Sequence, residues 1–318
     1  MRYIYIIHTH TPAFGVTLFT QAVAAAKASD IAVVMVGLCA DHCAGHGRTE
    51  NEGNDRGPGG SGWHTLGLPG AQQQLLEAVV QAQPNTVLVM INGGMMSISW
   101  AKEHVPAILE AYYPGQLGGD AIVNTLLGHN NPGGKTPVTW YPESITSRDI
   151  HDMDLNSGEG LTHLYYTGEV LWPFGFGLSY TTFTYTWADE GRVSSPVPHS
   201  RVPILEIMRT GVRYRCTVQN TGAVTGDAVV LGFVNSTDPQ FPRQKLFDFA
   251  RVTLTPGASE TVMLTLNADH LSVVSENGRV SLRPAQFTVR VGDVLVPATH
   301  TFEMIGSSEQ MYDYTGVF

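Results

Sequence analysis

Two glutamates and an Asp–Arg pair lie close together in residues 50–56, whose sequence is ENEGNDR. Glu50 or Glu52 could serve as a general acid and base, because that chemistry needs a carboxyl group whose pKa is tuned by its surroundings. Asp55 and Arg56 follow directly, and they form an oppositely charged pair. The residue types leave three alternatives open: Glu52 is the functional carboxylate, Glu50 is, or both are solvated loop residues.

The elements around this stretch place it at the edge of a sheet. Residues 31–36, IAVVMV, form a continuous apolar run typical of a buried parallel strand. Residues 69–82 are predicted to form a helix with Pro69 in its first turn. A loop between such a strand and helix lies at the carboxyl end of the strand, where open α/β sheets bind ligands.

Apolar periodicity predicts alternating strands and helices in the first part of the chain, which indicates a doubly wound α/β layer. Fewer strands are visible before Pro137 than a complete sheet of this kind requires. The first 17 residues are ambiguous and leave room for a displaced strand. The predicted strands are residues 31–36, 86–91 and 107–112, and the predicted helices are residues 18–28, 69–82, 100–104 and 120–127.

From about residue 181 the pattern changes to short alternating or apolar runs separated by turn residues, which predicts an antiparallel β-sandwich. The boundary is expected within residues 181–200, where SSPVP is typical of a linker. We therefore predict an α/β domain over 1–180, a sandwich over 181–305 and a tail over 306–318. The clearest predicted strands of the sandwich are residues 213–219, 228–234, 260–266 and 287–291.

The stretch ENEGNDR, followed by LPG and Gln72, resembles the acid/base segment of family 3 glycoside hydrolases, and most closely that of their β-xylosidase and α-L-arabinofuranosidase branch. The resemblance implies that Glu52 is the general acid/base, with Glu50 as the second choice. It also implies that Asp55 and Arg56 hold the loop. Further stretches that resemble the family are residues 113–119, YPGQLGG; 131–137, NPGGKTP; 173–180, PFGFGLSY; and 244–249, QKLFDF.

The resemblance implies a larger architecture than this chain contains. In the family, a (β/α)8 barrel carrying the nucleophile precedes the α/β sandwich, and a fibronectin-III-like sandwich often follows. Residues 18–305 resemble the rear of that arrangement, whereas the barrel and the opening strand have no visible counterpart. The implied partners are a glycoside or oligosaccharide substrate and the missing barrel, and the implied process is the breakdown of xylan or another cell-wall carbohydrate.

Two other classes of function are alternatives to a glycosidase. A non-catalytic carbohydrate-binding or scaffold module would keep the same folds without turnover. A flavodoxin-like nucleotide or flavin protein is disfavoured, because the Gly-rich stretches match no phosphate-binding motif. No cofactor is expected.

Departures from the family pattern surround the acid/base stretch. Residues 39–48 and the Gly-rich residues 57–64 are insertions, and residues 161–166 lack an expected arginine. The first insertion contains Cys39, His42, Cys43 and His46. A metal site, a disulfide between the two cysteines and a plain insertion all remain open, but no metal is expected, because zinc sites usually need a second ligand pair at a distance.

The composition of the chain argues against some kinds of binding partner. The chain of 318 residues has a net charge of −10, a pI near 5.6 and only 14% charged residues. This acidic balance argues against nucleic acid, and no apolar run is long enough to cross a membrane. Residues 1–7 resemble the start of a signal peptide unconvincingly, so the extracellular location typical of the family stays an expectation.

Overall fold

The computed structural model of this protein describes residues 3–7, 16–38, 66–149, 151–188 and 200–313. The chain divides into two compact units, and segments of the two alternate along the sequence. Unit 1 comprises Met1–Leu126, Thr139–Asp152 and Glu169–Trp172, and unit 2 comprises Leu127–Val138, Met153–Gly168 and Pro173–Phe318.

Unit 1 is built on a parallel sheet, in which the described strands follow one another in chain order. These strands are β1 (Tyr3–Ile7), β2 (Ile31–Gly37), β3 (Thr86–Ile91) and β4 (Ala107–Glu110). The central strands are apolar on both faces, as a parallel sheet with helices on each side requires. In β2, Ala32, Val34 and Val36 face one hydrophobic cluster, whereas Val33 belongs to another.

Helices cover both faces of this sheet. The described helices of unit 1 are α1 (Val16–Lys27), α2 (Gln72–Ala82), α3 (Ser99–His104) and α4 (Gly118–Leu126), with a 3-10 helix at Glu143–Ser147. The first three contribute to the larger cluster, for example through Leu76 of α2, which is fully buried. Ile122 of α4 packs on the opposite face against Val33 and Val89. The predicted α/β fold class is thereby confirmed.

The first residues, for which the sequence left room for a displaced strand, contain strand β1. Strand β1 pairs in parallel with β2, from Tyr3 opposite Ile31 to Ile7 opposite Met35. The sequence left this segment ambiguous because it is short and isolated from other periodic residues.

Two predicted element ends also differ from the structure, and backbone conformation explains both. Helix α2 begins at Gln72, because Gly70 adopts a φ of +58° that a helix cannot include. Strand β4 ends at Glu110, two residues early, because Tyr112 has a φ of +50° and its N–H donates to the Glu110 carboxylate at 2.9 Å.

The described strands of unit 2 form two larger sheets and a small one. The three-stranded sheet has the order β10-β7-β5, the five-stranded sheet β6-β14-β13-β8-β9, and the small sheet β11-β12-β15. The strands are β5 (Phe183–Trp187), β6 (Arg201–Pro203), β7 (Val212–Asn220), β8 (Gly226–Ser236), β9 (Lys245–Leu254), β10 (Ser259–Leu266), β11 (Val273–Val274), β12 (Arg279–Leu282), β13 (Ala285–Gly292), β14 (Ala298–Ile305) and β15 (Glu309–Asp313). The described helices of unit 2 are α5 (Thr162–Tyr165), α6 (Ile204–Thr210) and α7 (Ala268–Leu271).

The two larger sheets enclose one hydrophobic core, which makes unit 2 a β-sandwich. Alternate residues of β7, such as Tyr214 and Val218, meet residues of the other sheet such as Val289 and Phe302 in that core. The predicted all-β fold class of this part is confirmed. The residues expected to form a tail include β15, which pairs with β12.

Two of the turn-rich stretches in unit 2 bind each other through Thr136. Its N–H donates to the Phe176 carbonyl at 2.7 Å, and its carbonyl accepts from the Gly175 N–H at 2.8 Å. Its hydroxyl donates to the Pro173 carbonyl at 2.7 Å. The stretches NPGGKTP and PFGFGLSY thus have a structural role, since each satisfies backbone groups of the other.

Lys135 attaches this pair of stretches to the turn after β13. Its ammonium group donates to the Gly177 carbonyl at 2.6 Å and forms an ion pair with Asp293 at 2.6 Å. Both charged side chains are mostly buried, so removing one partner would leave an uncompensated charge in a poorly solvated place.

Asn220, at the end of β7, satisfies four polar groups although it is fully buried. Its side-chain oxygen accepts from the Thr181 hydroxyl at 2.6 Å and from the Gly222 N–H at 3.1 Å. Its side-chain nitrogen donates to the carbonyls of Val224 at 2.8 Å and Leu254 at 2.9 Å. One amide therefore connects β7, the turn that follows it and the end of β9.

We expect Asn220→Ala to lower the free energy of unfolding by about 2–4 kcal/mol, because it leaves several buried groups without partners. Urea denaturation measures the loss. Gln219→Ala, at the exposed neighbouring position, is the control and should change stability by less than about 0.5 kcal/mol. Equal effects of the two substitutions would contradict this role for Asn220.

Candidate active site

The residues predicted to carry the chemistry, Glu50, Glu52, Asp55 and Arg56, lie outside the described residues. The same holds for Cys39, His42, Cys43 and His46. The structure does describe the two ends of this segment, at Leu38 and Leu66, and the groups that hold them.

The segment leaves the sheet at the carboxyl end of β2. Gly37, the last residue of the strand, has a φ of +149°, and a Cβ built on it would lie 2.0 Å from the Ile91 carbonyl oxygen. The next residue, Leu38, donates its N–H to that same oxygen at 2.9 Å. A residue without a side chain is therefore required where the chain turns away from β3.

Gln72 of α2 holds the exit point from the other side. The Gly37 N–H donates to the Gln72 side-chain oxygen at 2.9 Å, and the Gln72 side-chain nitrogen donates to the Gly37 carbonyl at 3.0 Å. Gln72 is only 1% exposed. Its amide thus satisfies both backbone groups of Gly37, as a further strand would.

The segment returns at Leu66, which is held by a carboxylate. Its N–H donates to both oxygens of Glu143, at 3.0 and 3.1 Å, and its carbonyl accepts from the Ser97 N–H at 2.9 Å. The Ser97 hydroxyl in turn donates to the Tyr141 carbonyl at 2.9 Å. Both ends of the segment are therefore attached to the body of unit 1.

A polar cluster that the sequence analysis did not predict follows the next two strands. Asn92, fully buried after β3, donates to the Gly94 carbonyl at 2.5 Å and to the Glu110 carboxylate at 3.5 Å. Burial, and secondarily the charge of Glu110, raises the pKa of Tyr112 to about 12. The position of Asn92 immediately after the predicted strand 86–91 could have indicated it, whereas Glu110 and Tyr112 lie within the predicted strand 107–112.

Two aromatic residues at the ends of the stretch PFGFGLSY, Trp172 just before it and Tyr180 as its last residue, have simple surroundings. Trp172 packs edge-on against Trp140 within unit 1, with ring centroids 5.5 Å apart, and Tyr180 of unit 2 is 51% exposed. Among the described residues no group of three or more His, Cys, Asp or Glu side chains is arranged to hold a metal. None of the described helices is long and apolar enough to span a membrane.

Comparison with known proteins identifies the family. Residues 9–180 match the glycosyl hydrolase family 3 C-terminal domain, and residues 228–294 match the fibronectin type III-like domain. The chain belongs to glycosyl hydrolase family 3. Among the described residues no closed barrel is found, so this family 3 chain shows the α/β and sandwich parts.

Curated relatives include xylosidases. The chain is 33% identical over 280 residues to a β-xylosidase of Formosa agariphila, with 86% of this chain and 35% of the relative covered. It is 34% identical over 305 residues to β-D-xylosidase 1 of Arabidopsis thaliana, with 87% and 38% covered. This family 3 chain therefore spans a little over a third of the length of these relatives.

Solved structures of family 3 share its fold. A GH3 exo-β-xylosidase in complex with a xylobiose aziridine probe aligns with a TM-score of 0.80 and 24% identity, covering 96% of this chain and 40% of that one. A β-glucosidase from Kluyveromyces marxianus in complex with glucose gives a TM-score of 0.73 and 25% identity, covering 93% and 34%.

The attachment of the segment between Leu38 and Leu66 can be tested through Gln72. Gln72→Leu leaves the buried N–H and carbonyl of Gly37 without partners, so we expect stability to fall by about 2–4 kcal/mol. Gln74→Leu is the matched control, since Gln74 lies in the same helix and is exposed. Urea denaturation and limited proteolysis between residues 38 and 66 provide the measurements. Unchanged stability and cleavage in Gln72→Leu would contradict the proposed attachment.

Proposed function

We propose that this chain supplies the general acid/base of a retaining exo-glycosidase of the β-xylosidase or α-L-arabinofuranosidase type. Glu52 is the proposed acid/base, with Glu50 as the second choice, and Asp55 with Arg56 as the pair that supports the loop. The proposal places the α/β domain at 1–180 and the sandwich at 181–305, and it makes xylan or a related cell-wall carbohydrate the substrate.

The observation that carries the proposal is the attachment of both ends of the Glu52 segment to unit 1. Gly37 is fixed by Gln72, and Leu66 is fixed by Glu143. The segment leaves from the carboxyl end of a parallel strand, the usual place for ligand-binding loops in such sheets. The xylosidases among the relatives support the choice of sugar.

The mechanism assigns two roles to one carboxyl group. In the first step the nucleophile would form a bond to the anomeric carbon while the glycosidic bond breaks, and Glu52, as the acid, would protonate the departing oxygen so that it leaves as an alcohol. In the second step the Glu52 carboxylate would remove a proton from water, which attacks that carbon and releases the nucleophile. The nucleophile is expected from the barrel of the family, so the proposed partner of this chain is a barrel domain.

A complementation assay tests the acid/base assignment. The purified chain is mixed with a separately produced barrel domain of a family 3 β-xylosidase, and hydrolysis of phenyl β-xyloside and 2,4-dinitrophenyl β-xyloside is measured. We expect the mixture to hydrolyse these substrates and neither component to do so by itself. Glu52→Gln should lower kcat/KM for the phenyl glycoside by about 10²–10⁴-fold, because its departure needs a proton. The kcat/KM for the dinitrophenyl glycoside should fall much less, because dinitrophenolate leaves without a proton.

Azide provides a second readout for Glu52. An anionic nucleophile needs no general base, so azide should restore turnover of the dinitrophenyl substrate by Glu52→Gln and yield a β-xylosyl azide. Glu50→Gln, which makes the same change two residues away, is the matched control and should stay within a few-fold of the wild type. A large loss in Glu50→Gln with none in Glu52→Gln would transfer the role to Glu50. The same assays with an aryl α-L-arabinofuranoside compare the two sugars.

The alternative is a non-catalytic carbohydrate-binding or scaffold module that keeps both folds. It predicts that the mixture shows no turnover, even though the same barrel is active when it is joined to its own C-terminal domains. The Gly-rich insertion at residues 57–64 is the feature that favours this alternative, because it departs from the family pattern beside Glu52.

A further inference from the structure

Within the described part of unit 2, two arginines donate hydrogen bonds to neutral partners. Arg243, just before β9, donates to the Tyr166 carbonyl oxygen. Arg290, within β13, donates to the side-chain oxygen of Gln244. Arg243 is exposed and Arg290 is half-buried, and each is held by a hydrogen bond from its guanidinium group.

Arg243 and Arg290 lie near each other, because Arg290 binds the side chain of Gln244, the residue that follows Arg243. Burial, and then the charge of Arg243, lowers the pKa of Arg290. Among the described residues no carboxylate forms an ion pair with either arginine. Other cations of the same unit are paired, for example Lys135 with Asp293. An unneutralised pair of cations stands out in a chain with a net charge of −10.

The unused donors suit a carboxylate. A guanidinium group presents several N–H donors in a planar fork, and each of these hydrogen bonds occupies only one nitrogen. The free edges can bind both oxygens of a carboxylate, and the anion would also cancel the repulsion between the two arginines. A neutral ligand offers no such gain.

Aromatic side chains lie on the same face of the sheet. Phe233 of β8 is directly opposite Arg290 of β13, so both side chains leave the sheet on one side. Phe174 meets Phe233 edge-on at 6.1 Å and stacks on His163 at 4.4 Å. The half-buried rings of Phe174 and His163 provide an apolar surface of the kind that sugar rings contact.

We propose that Arg243 and Arg290 form a binding site for the carboxylate of an acidic sugar, such as a glucuronic acid unit of a glycan. The ligand carboxylate would accept hydrogen bonds from both guanidinium groups, while its ring faces the neighbouring aromatic surface. This site goes beyond the proposed function and does not depend on the role of Glu52.

A pair of sugars isolates the contribution of the carboxylate. D-Glucuronate and D-xylose have the same pyranose ring and differ at carbon 5, which carries the carboxylate only in glucuronate. Titration of the whole chain with each sugar is followed through the arginine Nε–Hε signals in NMR spectra. We expect saturable shifts at Arg243 and Arg290 with glucuronate and none with xylose at the same concentration. Added salt should weaken the binding, because the contact is between charges.

Substitutions test the arginines directly. Arg243→Gln and Arg290→Gln should each weaken glucuronate binding about tenfold or more, the factor expected for losing a hydrogen bond between charged groups. Arg283→Gln is the matched control. Arg283 also donates to a glutamine side chain, that of Gln240, and belongs to the same unit. It should bind glucuronate like the wild type.

Several outcomes would overturn the proposal. These are the absence of saturable shifts, wild-type affinity for glucuronate in both glutamine variants, or shifts that are largest at other arginines. Binding of inorganic phosphate without binding of glucuronate would assign the site to a different anion and overturn the carboxylate assignment. If the glutamine variants do not fold, the location of the shifts in the wild type decides, supported by a rise in Tm with glucuronate but not with xylose.

Discussion

The carboxyl end of β2 depends on one side-chain amide. An unpaired buried backbone group is costly, and the N–H and carbonyl of Gly37, the last residue of β2, both need partners. Gln72 supplies both partners to Gly37 and is itself almost inaccessible to solvent. The absence of a side chain at Gly37 lets the chain pass the Ile91 carbonyl at the same point. Helix α2, the sheet edge and the start of the Glu52 segment therefore form one hydrogen-bonded arrangement.

The same physical requirement organises the turns of unit 2. Glycine- and proline-rich stretches expose backbone groups, and here those groups are satisfied across the sequence by Thr136, Lys135 and Asn131. The side-chain oxygen of Asn131 accepts from the Ser179 hydroxyl at 3.0 Å and from the Tyr180 N–H at 2.8 Å. These stretches are thus explained by the hydrogen bonds that hold irregular chain in place, with no ligand needed to account for them.

Local pattern predicted much of the fold, and long-range contacts account for what it missed. Four strands can be recognised from the sequence, because burial on one or both faces dictates their residue types. They are β2 and β3, with their apolar runs, and β7 and β10, with their alternation. Strand β1 lacks periodic neighbours, and the ends of α2 and β4 depend on positive φ angles at Gly70 and Tyr112.

For the candidate site, sequence motifs suggested Glu52, but they could not assign a structural role to Gln72 or Glu143. Gln72 was part of the matched motif, yet its partner Gly37 is 35 residues away. Glu143 binds Leu66 across 77 residues, and no local pattern carries that information. A hydrogen bond of this kind follows from the folded positions of two elements, so it appears only when those elements are placed.

Attachment at both ends matters most if the segment carries half of a catalytic pair. Retaining glycosidases need their two carboxyl groups about 5–5.5 Å apart, and an error of about 1 Å can cost a hundredfold in rate. When the nucleophile belongs to a separately folded barrel, the acid/base segment cannot be positioned by direct connection to it. Its precision must come from its own domain. Gln72 and Glu143 fix the two ends, and under the proposal Asp55 and Arg56 would do the same within the segment. The rigidity of the α/β unit would then be a requirement of the chemistry as well as of the fold.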